Sequence, residues 1–256
     1  MVDLIIKYDN STEAFNNSKV RYSSLWAKYL QMYFGSSNFF RIKNTLTFKK
    51  PIKELTPTRE DNESILISQI LGDGYVERKN SLKIEHGEKQ YEYLKFKISL
   101  LNNAYPKTNG FEHIRKRIHI SRVSGKELIS YSYRTGEVLK YPLDKLLAKT
   151  LEEQVFSLTP LGMLLYYLDD GSFVQTKTEG YMYQSISISS VNENLLQYVQ
   201  KYLYSYGIET AIEYPKLIIR KKQEIIKFLQ NFALPFKNII PESMMYKIDY
   251  KDIVEM

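Results

Sequence analysis

Two short apolar segments that each end in an Asp-Gly step constrain this sequence more than any other feature. The first motif runs from Leu66 to Gly74 and the second from Met163 to Gly171. Each apolar run predicts a buried helix rather than an amphipathic one, and the glycine after each aspartate suits a helix end. Singly, either motif is explained better by a helix that ends in an ordinary Asp-Gly turn. Together they place Asp73 and Asp170 in matching positions, which predicts a site with approximate two-fold symmetry.

Composition limits the classes of protein to which this chain can belong. The 256 residues are 43% apolar, which is typical of a globular protein with one large domain or two small ones. The net charge of +7 favours a polyanionic partner such as nucleic acid, although many basic proteins bind none. The absence of cysteine excludes disulfides and thiolate zinc sites. No run of about 18 apolar residues and no secretory signal is present, so we expect a soluble intracellular protein with no membrane partner.

The order of predicted elements repeats after residue 60. We interpret residues 1–60 as an N-terminal extension and linker, with one helix from about Thr12 to Phe34 and no predicted chemistry. We expect a first half at 61–155 and a second half at 156–256. After each motif helix we predict a strand, a helix, two further strands and another helix. The predicted ranges are 81–86, 88–102, 111–122, 127–133 and 143–150 in the first half, and 181–189, 192–206, 208–213, 216–220 and 221–232 in the second.

The two aspartates have the chemistry of a divalent cation site. If the motif helices pack side by side, their ends bring Asp73 and Asp170 together beside backbone carbonyls that helix termini leave unpaired. Mg²⁺ prefers a few carboxylates, carbonyls, waters and phosphate oxygens, so this site would suit it when it faces DNA, with Mn²⁺ as a substitute. Gly72 and Asp169 complete the candidate metal ligands. Because adjacent helical side chains point in different directions, we expect Asp169 mainly as a cap or a solvent-facing residue.

The two motifs carry a resemblance to a known family. Leu-Gly-Asp-Gly-Tyr and Leu-Asp-Asp-Gly-Ser, each at the end of an apolar helix, are similar to the motifs of single-chain LAGLIDADG homing endonucleases of a divergent subgroup. The segments from Leu158 to Pro160 and from Ile240 to Lys247 extend this resemblance, which covers about residues 61–250. It implies an α/β (α+β) fold in which two pseudo-symmetric αββαββα halves form a saddle-shaped antiparallel sheet around two central motif helices.

One departure from the family pattern concerns helix packing. The first motif keeps the small residues Ser68 and Gly72 at its third and seventh positions, whereas the second has Leu165 and Asp169 there. Small residues at these positions let the two helices approach closely in the family. The larger residues therefore predict altered packing, but they leave the acidic positions unchanged.

The resemblance also implies a function. It implies a monomeric, site-specific endonuclease that cuts both strands of a long asymmetric duplex DNA target with a divalent metal, one aspartate serving each strand. Intron homing and a mitochondrial or other organellar location follow by analogy, with the cytoplasm otherwise. The alternative is an intron-encoded maturase that binds its host intron RNA and assists splicing, alone or alongside cleavage; a third reading is an inactive DNA-binding regulator. Retention of both aspartates favours the nuclease.

Lysines near the cut would stabilise phosphate charge or perturb the water around it. By the resemblance, Lys247 matches a peripheral active-site lysine, and Lys140 is the candidate counterpart in the first half. For Lys140, an ordinary solvated lysine is an equally good explanation.

The first half contains a basic segment that suits contact with DNA. Alternation predicts that His113, Arg115, Arg117, His119 and Ser121 share one strand face, with Ile114, Ile118 and Ile120 over a core on the other. Arginine can read guanine edges or hold phosphates, and Lys83 is added from the neighbouring predicted strand. A metal site formed by His113 and His119 is excluded, because a spacing of six positions along a strand separates their side chains by roughly 20 Å.

The second half offers a less charged candidate surface. Tyr183, Ser185 and Ser187 alternate with Gln184, Ile186 and Ile188, which predicts a polar face opposite a core face. The candidate DNA-binding residues of this half are Tyr183, Ser185, Ser187, Lys216, Arg220 and Lys222. An ordinary solvated sheet face is the alternative explanation. The two halves differ, which predicts an asymmetric DNA target, because a single chain does not require the palindromic sequence that a symmetric dimer would.

Overall fold

The chain passes twice through the same order of helices and strands. The computed structural model describes residues 59–77, 81–120, 125–178 and 181–249, and residues 59–256 belong to one compact unit. The predicted N-terminal helix, from Thr12 to Phe34, lies outside the described residues. None of the described helices is long and apolar enough to cross a membrane.

The two passes contain matching elements. The first consists of α1 (Arg59–Leu71), β1 (Gly74–Glu77), β2 (Ser81–Gly87), α2 (Tyr91–Ala104), β3 (Arg115–Ile120), β4 (Glu127–Arg134), α3 (Lys140–Leu147) and α4 (Leu151–Phe156). The second consists of α5 (Pro160–Asp170), β5 (Gly171–Thr178), β6 (Tyr181–Ser189), α6 (Glu193–Ser205), β7 (Ala211–Glu213), β8 (Lys216–Ile219) and α7 (Lys222–Phe228). A π-helical turn at Leu229–Ala233 and 3₁₀ turns at Leu234–Phe236 and Glu242–Lys247 follow.

Each half contains a four-stranded antiparallel sheet. The strand orders are β1-β2-β4-β3 and β5-β6-β8-β7, and the registers match as well, because Gly74 pairs with Ile84 and Gly171 pairs with Ile188. The predicted fold of two αββαββα halves with central motif helices is confirmed. The element lists nevertheless lacked β1 and β5, the strands that directly follow the motifs.

The two motif helices, α1 and α5, pack side by side. Every residue from Leu161 to Leu168 is buried, as expected for a helix enclosed on all sides. The close approach of α1 and α5 depends on Gly162, because a Cβ at this position of α5 would overlap Ser64 Oγ on α1. The start of α5 is fixed by the Thr159 side chain, which accepts a hydrogen bond from Gly162 N at 3.4 Å, and by the backbone of Thr159, which donates to Ser64 Oγ at 2.8 Å.

Strand β3 does not lie over a core as the sequence predicted. It is the edge strand of the first sheet, and all six of its residues are exposed, including Ile118 at 59% and Ile120 at 69%. The register places Ile118 opposite Ile129, on the face that carries buried Tyr133 nearer the sheet centre. The predicted alternation places Ile118 and Ile120 on that face, but both side chains remain exposed at the edge of the sheet. His113 belongs to a 3₁₀ turn at Phe111–His113 rather than to the strand, and Ser121 lies outside the described residues.

We predict that Gly162→Ala destabilises the protein by about 1–3 kcal/mol, because the added methyl group overpacks the α1–α5 interface. The loss should outweigh the gain in helix propensity, which is at most about 1 kcal/mol. Urea unfolding would measure the free energy. Gly87→Ala is the matched control, since a Cβ there meets no atom within 4 Å. Equal effects of the two substitutions would contradict the close helix approach.

Candidate active site at the ends of the motif helices

The ends of α1 and α5 bring three aspartates together. Asp73 lies in the turn between α1 and β1, where Gly72 N still donates to Ser68 O at 3.0 Å. Asp169 and Asp170 are the last two residues of α5, and β5 begins at the next residue. Ligand atoms of Asp73 and Asp169 lie within 4.8 Å of each other and of His86. The predicted meeting of the two motif ends is thus present in the structure.

Burial and the charge of Asp169 make the two motif aspartates hard to ionise. Burial, followed by the charges of Asp169 and Asp73, raises the pKa of Asp170 from 3.8 to about 7. Burial and the charge of Asp169 also raise the pKa of Asp73, against the opposing charges of Lys97 and Lys247. A bound cation would relieve this repulsion, because it favours the ionised form of both carboxyl groups.

Asp169 is not the solvent-facing residue that the sequence predicted. Its side chain is fully buried and forms an ion pair with Lys97 at 2.7 Å. Oδ1 also accepts from the Tyr93 hydroxyl at 2.8 Å, and Oδ2 accepts from the backbone N–H of Asp73 at 3.1 Å. Gly72 makes room for this carboxylate, since a Cβ at Gly72 would overlap it.

These contacts occupy the Asp169 carboxylate completely. Lys97 donates to both of its oxygens, at 2.9 and 2.7 Å, so each oxygen accepts two hydrogen bonds. Asp169 is therefore poorly suited to bind a metal, although it belongs to the acidic cluster. We interpret Asp169 as a buried structural anion of the second motif whose partners belong to the first half.

His86 lies beside this ion pair. Its Nε2 is 3.2 Å from Lys97 Nζ, and its Nδ1 is 3.2 Å from Gln90 Oε1 and 3.5 Å from Asp73 Oδ2. Burial, followed by the charge of Lys97, lowers the pKa of His86 to about 3. The imidazole is therefore neutral at physiological pH, and its contact with Asp73 is not an ion pair.

The two predicted lysines occupy different places. Lys247 is buried, and its ammonium donates to Leu168 O at 2.6 Å and to Asp169 O at 3.2 Å, at the end of α5. Its charge lowers the pKa of both motif aspartates, while burial lowers its own pKa. Lys140 is exposed at the start of α3. The first-half lysine that the structure brings to the acids is Lys97.

The site fits a hard divalent cation. Its donors are carboxylate oxygens, which suit Mg²⁺, Mn²⁺ or Ca²⁺. Tyr166 is buried within it, its hydroxyl has no hydrogen-bond partner in the described part of the chain, and the charges of Asp170 and Asp169 add to the burial that raises its pKa. A buried polar group with no protein partner is expected where water or a hydrated ion binds.

Glutamates lie beside three of the basic candidates of the first half, Lys83, Arg117 and His113. Arg115 and Arg117 are exposed on β3, and Arg117 lies 3.7 Å from Glu85. Lys83 pairs with Glu85 at 2.8 Å and has only 6% of its side chain exposed, so it is less accessible than predicted. His113 and His119 are exposed, His113 beside Glu112 and His119 opposite Leu128 on β4. The face is polar, and Glu85 partly neutralises the charges of Lys83 and Arg117.

The second-half sheet has the predicted alternation. Ile186 and Ile188 are fully buried, and Ser185 and Ser187 lie on the opposite face with Tyr183, which is 50% exposed. The serines themselves are largely buried. The basic candidates Lys216, Arg220 and Lys222 are exposed, and Arg220 forms an ion pair with Glu213.

Sequence reasoning missed His86, Tyr93 and Lys97. Two signals could have found them. Lys97 stands among the apolar positions of α2, four residues after Tyr93, where a solvated lysine is not expected. His86 has the same strand parity as Leu82 and Ile84, both buried on the core face of β2.

The fold and the site define a duplicated α/β protein with an acidic centre between its two halves. The model of the LAGLIDADG DNA endonuclease family matches residues 63–240. This chain therefore belongs to the LAGLIDADG DNA endonuclease family.

Similar solved structures include three homing endonucleases of low sequence identity. The crystal structure of I-DmoI in complex with DNA and Ca is 14% identical and covers 72% of this chain and 96% of its own, with a TM-score of 0.42. The LAGLIDADG meganuclease I-AabMI bound to uncleaved DNA is 14% identical over 75% of this chain and 90% of its own, with a TM-score of 0.45. I-GzeII in complex with its DNA target is 13% identical over 75% and 88%, with a TM-score of 0.44.

One curated relative matches at the sequence level. A protein RecA of Mycolicibacterium flavescens is 21% identical over 201 residues, which are 73% of this chain and 45% of that protein. This chain thus spans less than half the length of that relative.

We predict that Asp170→Asn changes how the stability of the metal-free protein depends on pH. Folding raises the Asp170 pKa from 3.8 to about 7, so this group stabilises the folded state at low pH and loses that contribution as pH rises through 7. Asparagine does not titrate. Between pH 5 and 8 the wild type should therefore lose roughly 1–2 kcal/mol more than the variant, allowing for partial solvent screening.

Urea unfolding in a chelator at a series of pH values would measure this difference. Asp144→Asn, at an exposed position on α3, is the control for the same carboxylate-to-amide change outside the acidic cluster. A difference between wild type and Asp170→Asn that stays constant from pH 5 to 8 would contradict the crowded acidic site.

Proposed function

We propose that this chain is a site-specific endonuclease that hydrolyses both strands of duplex DNA with the help of divalent cations. The observation that carries the proposal is the acidic cluster at the ends of two packed helices, one from each half of a duplicated fold. Asp73 contacts Asp169 there, and the charge of Asp73 contributes to the raised pKa of Asp170. Membership of the LAGLIDADG DNA endonuclease family supports it.

Asp73 and Asp170 would hold the cations, and Mg²⁺ is the physiological candidate. Bound there, the cation would lower the pKa of a water and stabilise the charge that develops on the phosphate oxygens. Lys247 keeps the end of α5 in place through two main-chain carbonyls and places a positive charge beside both acids. The neutral His86 and the saturated Asp169 remain outside the proposed ligand set.

The proposed reaction is the hydrolysis of one phosphodiester bond on each strand. A water oxygen forms a bond to phosphorus and loses a proton, while the bond from phosphorus to one deoxyribose oxygen breaks and that oxygen gains a proton. Each half supplies one aspartate, so we propose that each aspartate serves one strand. Because one chain contains both halves, a monomer suffices.

The polar sheet faces would contact the duplex. Arg115 and Arg117 lie exposed on the edge strand of the first sheet, and the exposed Tyr183 and Lys216 belong to the second. The two faces differ in their charged residues, which favours an asymmetric target over a palindrome. Binding of a host intron RNA without DNA cleavage would instead support the maturase function.

We predict that Asp73→Asn and Asp170→Asn, singly or together, abolish double-strand cleavage and leave DNA affinity in Ca²⁺ within about a factor of three, because metal ligation rather than folding is lost. Cleaved sequences selected from a randomised duplex library would define the target. Cleavage and binding would then be measured on that target, with Asp144→Asn as the control. Loss of binding together with cleavage would move the two aspartates to a structural role.

We also predict that Arg115→Ala/Arg117→Ala weakens binding to the target and reduces the salt dependence of the affinity. Each lost phosphate contact should lower the slope of log K against log salt by about 0.9, so the pair should lower it by about 1–2. Fluorescence anisotropy at several salt concentrations would measure the slope. Lys201→Ala is the matched control, since Lys201 is exposed on α6 and pairs with Glu152. An unchanged slope in the arginine variant would remove β3 from the interface.

A further inference from the structure

The buried cluster of His86, Lys97 and Asp169 touches Asp73 in two ways. Asp169 Oδ2 accepts a hydrogen bond from the Asp73 backbone, and His86 Nδ1 faces the Asp73 carboxylate. We propose that these three residues position Asp73 for cation binding, and that Asp170 has no equivalent support. The proposal rests on the proposed endonuclease function and makes its two aspartates unequal.

The ammonium of Lys97 fixes which nitrogen of His86 carries the hydrogen. Lys97 Nζ has three hydrogens and three partners, namely the two oxygens of Asp169 and Nε2 of His86. An ammonium can only donate, so Nε2 must accept. The single hydrogen of the neutral imidazole is therefore on Nδ1, where it faces Asp73 Oδ2 and Gln90 Oε1.

A histidine in this tautomer is a positioning residue. Its N–H donates to Gln90 Oε1 at 3.2 Å, and the same edge of the ring lies 3.5 Å from the Asp73 carboxylate, 37% of whose side chain is exposed. The positive end of this N–H dipole attracts the carboxylate and so restricts its orientation. Asp169 fixes the backbone of the same residue from the other half of the protein. Side chain and main chain of Asp73 thus depend on one buried ion pair.

The matching positions among the described residues of the second half have no corresponding groups. The register places His86 two residues beyond Ile84, the partner of the first motif glycine, and the equivalent position beyond Ile188 is Ser190. Helix α6 contributes only apolar residues and Tyr202 to the interior, so nothing on it corresponds to Lys97. The end of α5 is instead held by Lys247, which contacts main-chain carbonyls and not the Asp170 carboxylate.

The functional consequence is a difference between the two strands. Loss of the His86 N–H dipole beside the Asp73 carboxylate should misplace Asp73 and slow the strand that this aspartate serves. The strand served by Asp170 should be affected much less. His86→Leu is therefore expected to produce mainly nicked DNA.

The tautomer is tested first, in the full-length protein without metal. The chain has three histidines, so ¹⁵N-histidine labelling gives three sets of imidazole signals, and the set lost in His86→Leu identifies His86. We expect a hydrogen on Nδ1 and none on Nε2. Replacement of the ion pair by Lys97→Met/Asp169→Leu, which leaves no buried charge unpaired, should release this preference. A hydrogen on Nε2 in the wild type would overturn the proposal.

Strand-resolved cleavage is tested second, on a duplex labelled at both ends. His86→Leu should reduce the rate for one strand about 10-fold or more relative to the other. His86→Asn, whose amide can donate from nearly the same place as Nδ1, should restore much of the lost rate. Ser190→Ala, at the matching position of the second half, should leave the strand ratio unchanged.

Equal slowing of both strands in His86→Leu, or no slowing at all, would overturn the proposal. These outcomes differ from a failure of the proposed function, in which the wild type itself would cut no duplex while the histidine signals still report the tautomer.

Discussion

The ion pair between Lys97 and Asp169 is the interaction on which the site depends. Both side chains are fully buried, and a buried charge without its partner would be strongly destabilising. Lys97 comes from α2 of the first half and Asp169 from the motif helix of the second, so the pair also joins the two halves. Asp169 also accepts a hydrogen bond from the backbone of Asp73. Because Lys97 neutralises it, the second motif can have Asp169 at the position where the first motif has Gly72.

The two motifs compensate for each other across the helix interface. Asp169 occupies the space left by Gly72, and Ser64 of α1 occupies the space left by Gly162 of α5. Close approach of the two helices therefore does not need small residues at the same position of both motifs. It needs a small residue on one helix wherever the other presents a side chain, and this asymmetry gives the two aspartates different surroundings.

The sequence predicted what depends on local pattern. The apolar motif helices, the alternation in β6 and the place of the paired aspartates all follow from residue type and spacing. Strands β1 and β5 were not predicted from the sequence, because each begins at the glycine of a motif and a glycine after an aspartate indicates a turn. Their strand conformation comes from pairing with β2 and β6, which no short window of sequence reveals.

Long-range contacts account for the other differences. The exposure of Ile118 and Ile120 depends on the position of β3 at the edge of its sheet, and the burial of Asp169 depends on its contact with a lysine 72 residues away. A lysine at an apolar position of α2 and an acid at a small position of the second motif are two anomalies whose common explanation is their contact.

The most direct measurement is a crystal structure of the protein with duplex target DNA and Mn²⁺, in which anomalous scattering locates the metal. We predict Mn²⁺ bound by carboxylate oxygens of Asp73 and Asp170, with Asp169 still paired to Lys97 and His86 outside the coordination sphere. Mn²⁺ bound by Asp169 or His86, or bound away from the ends of the two motif helices, would contradict this prediction.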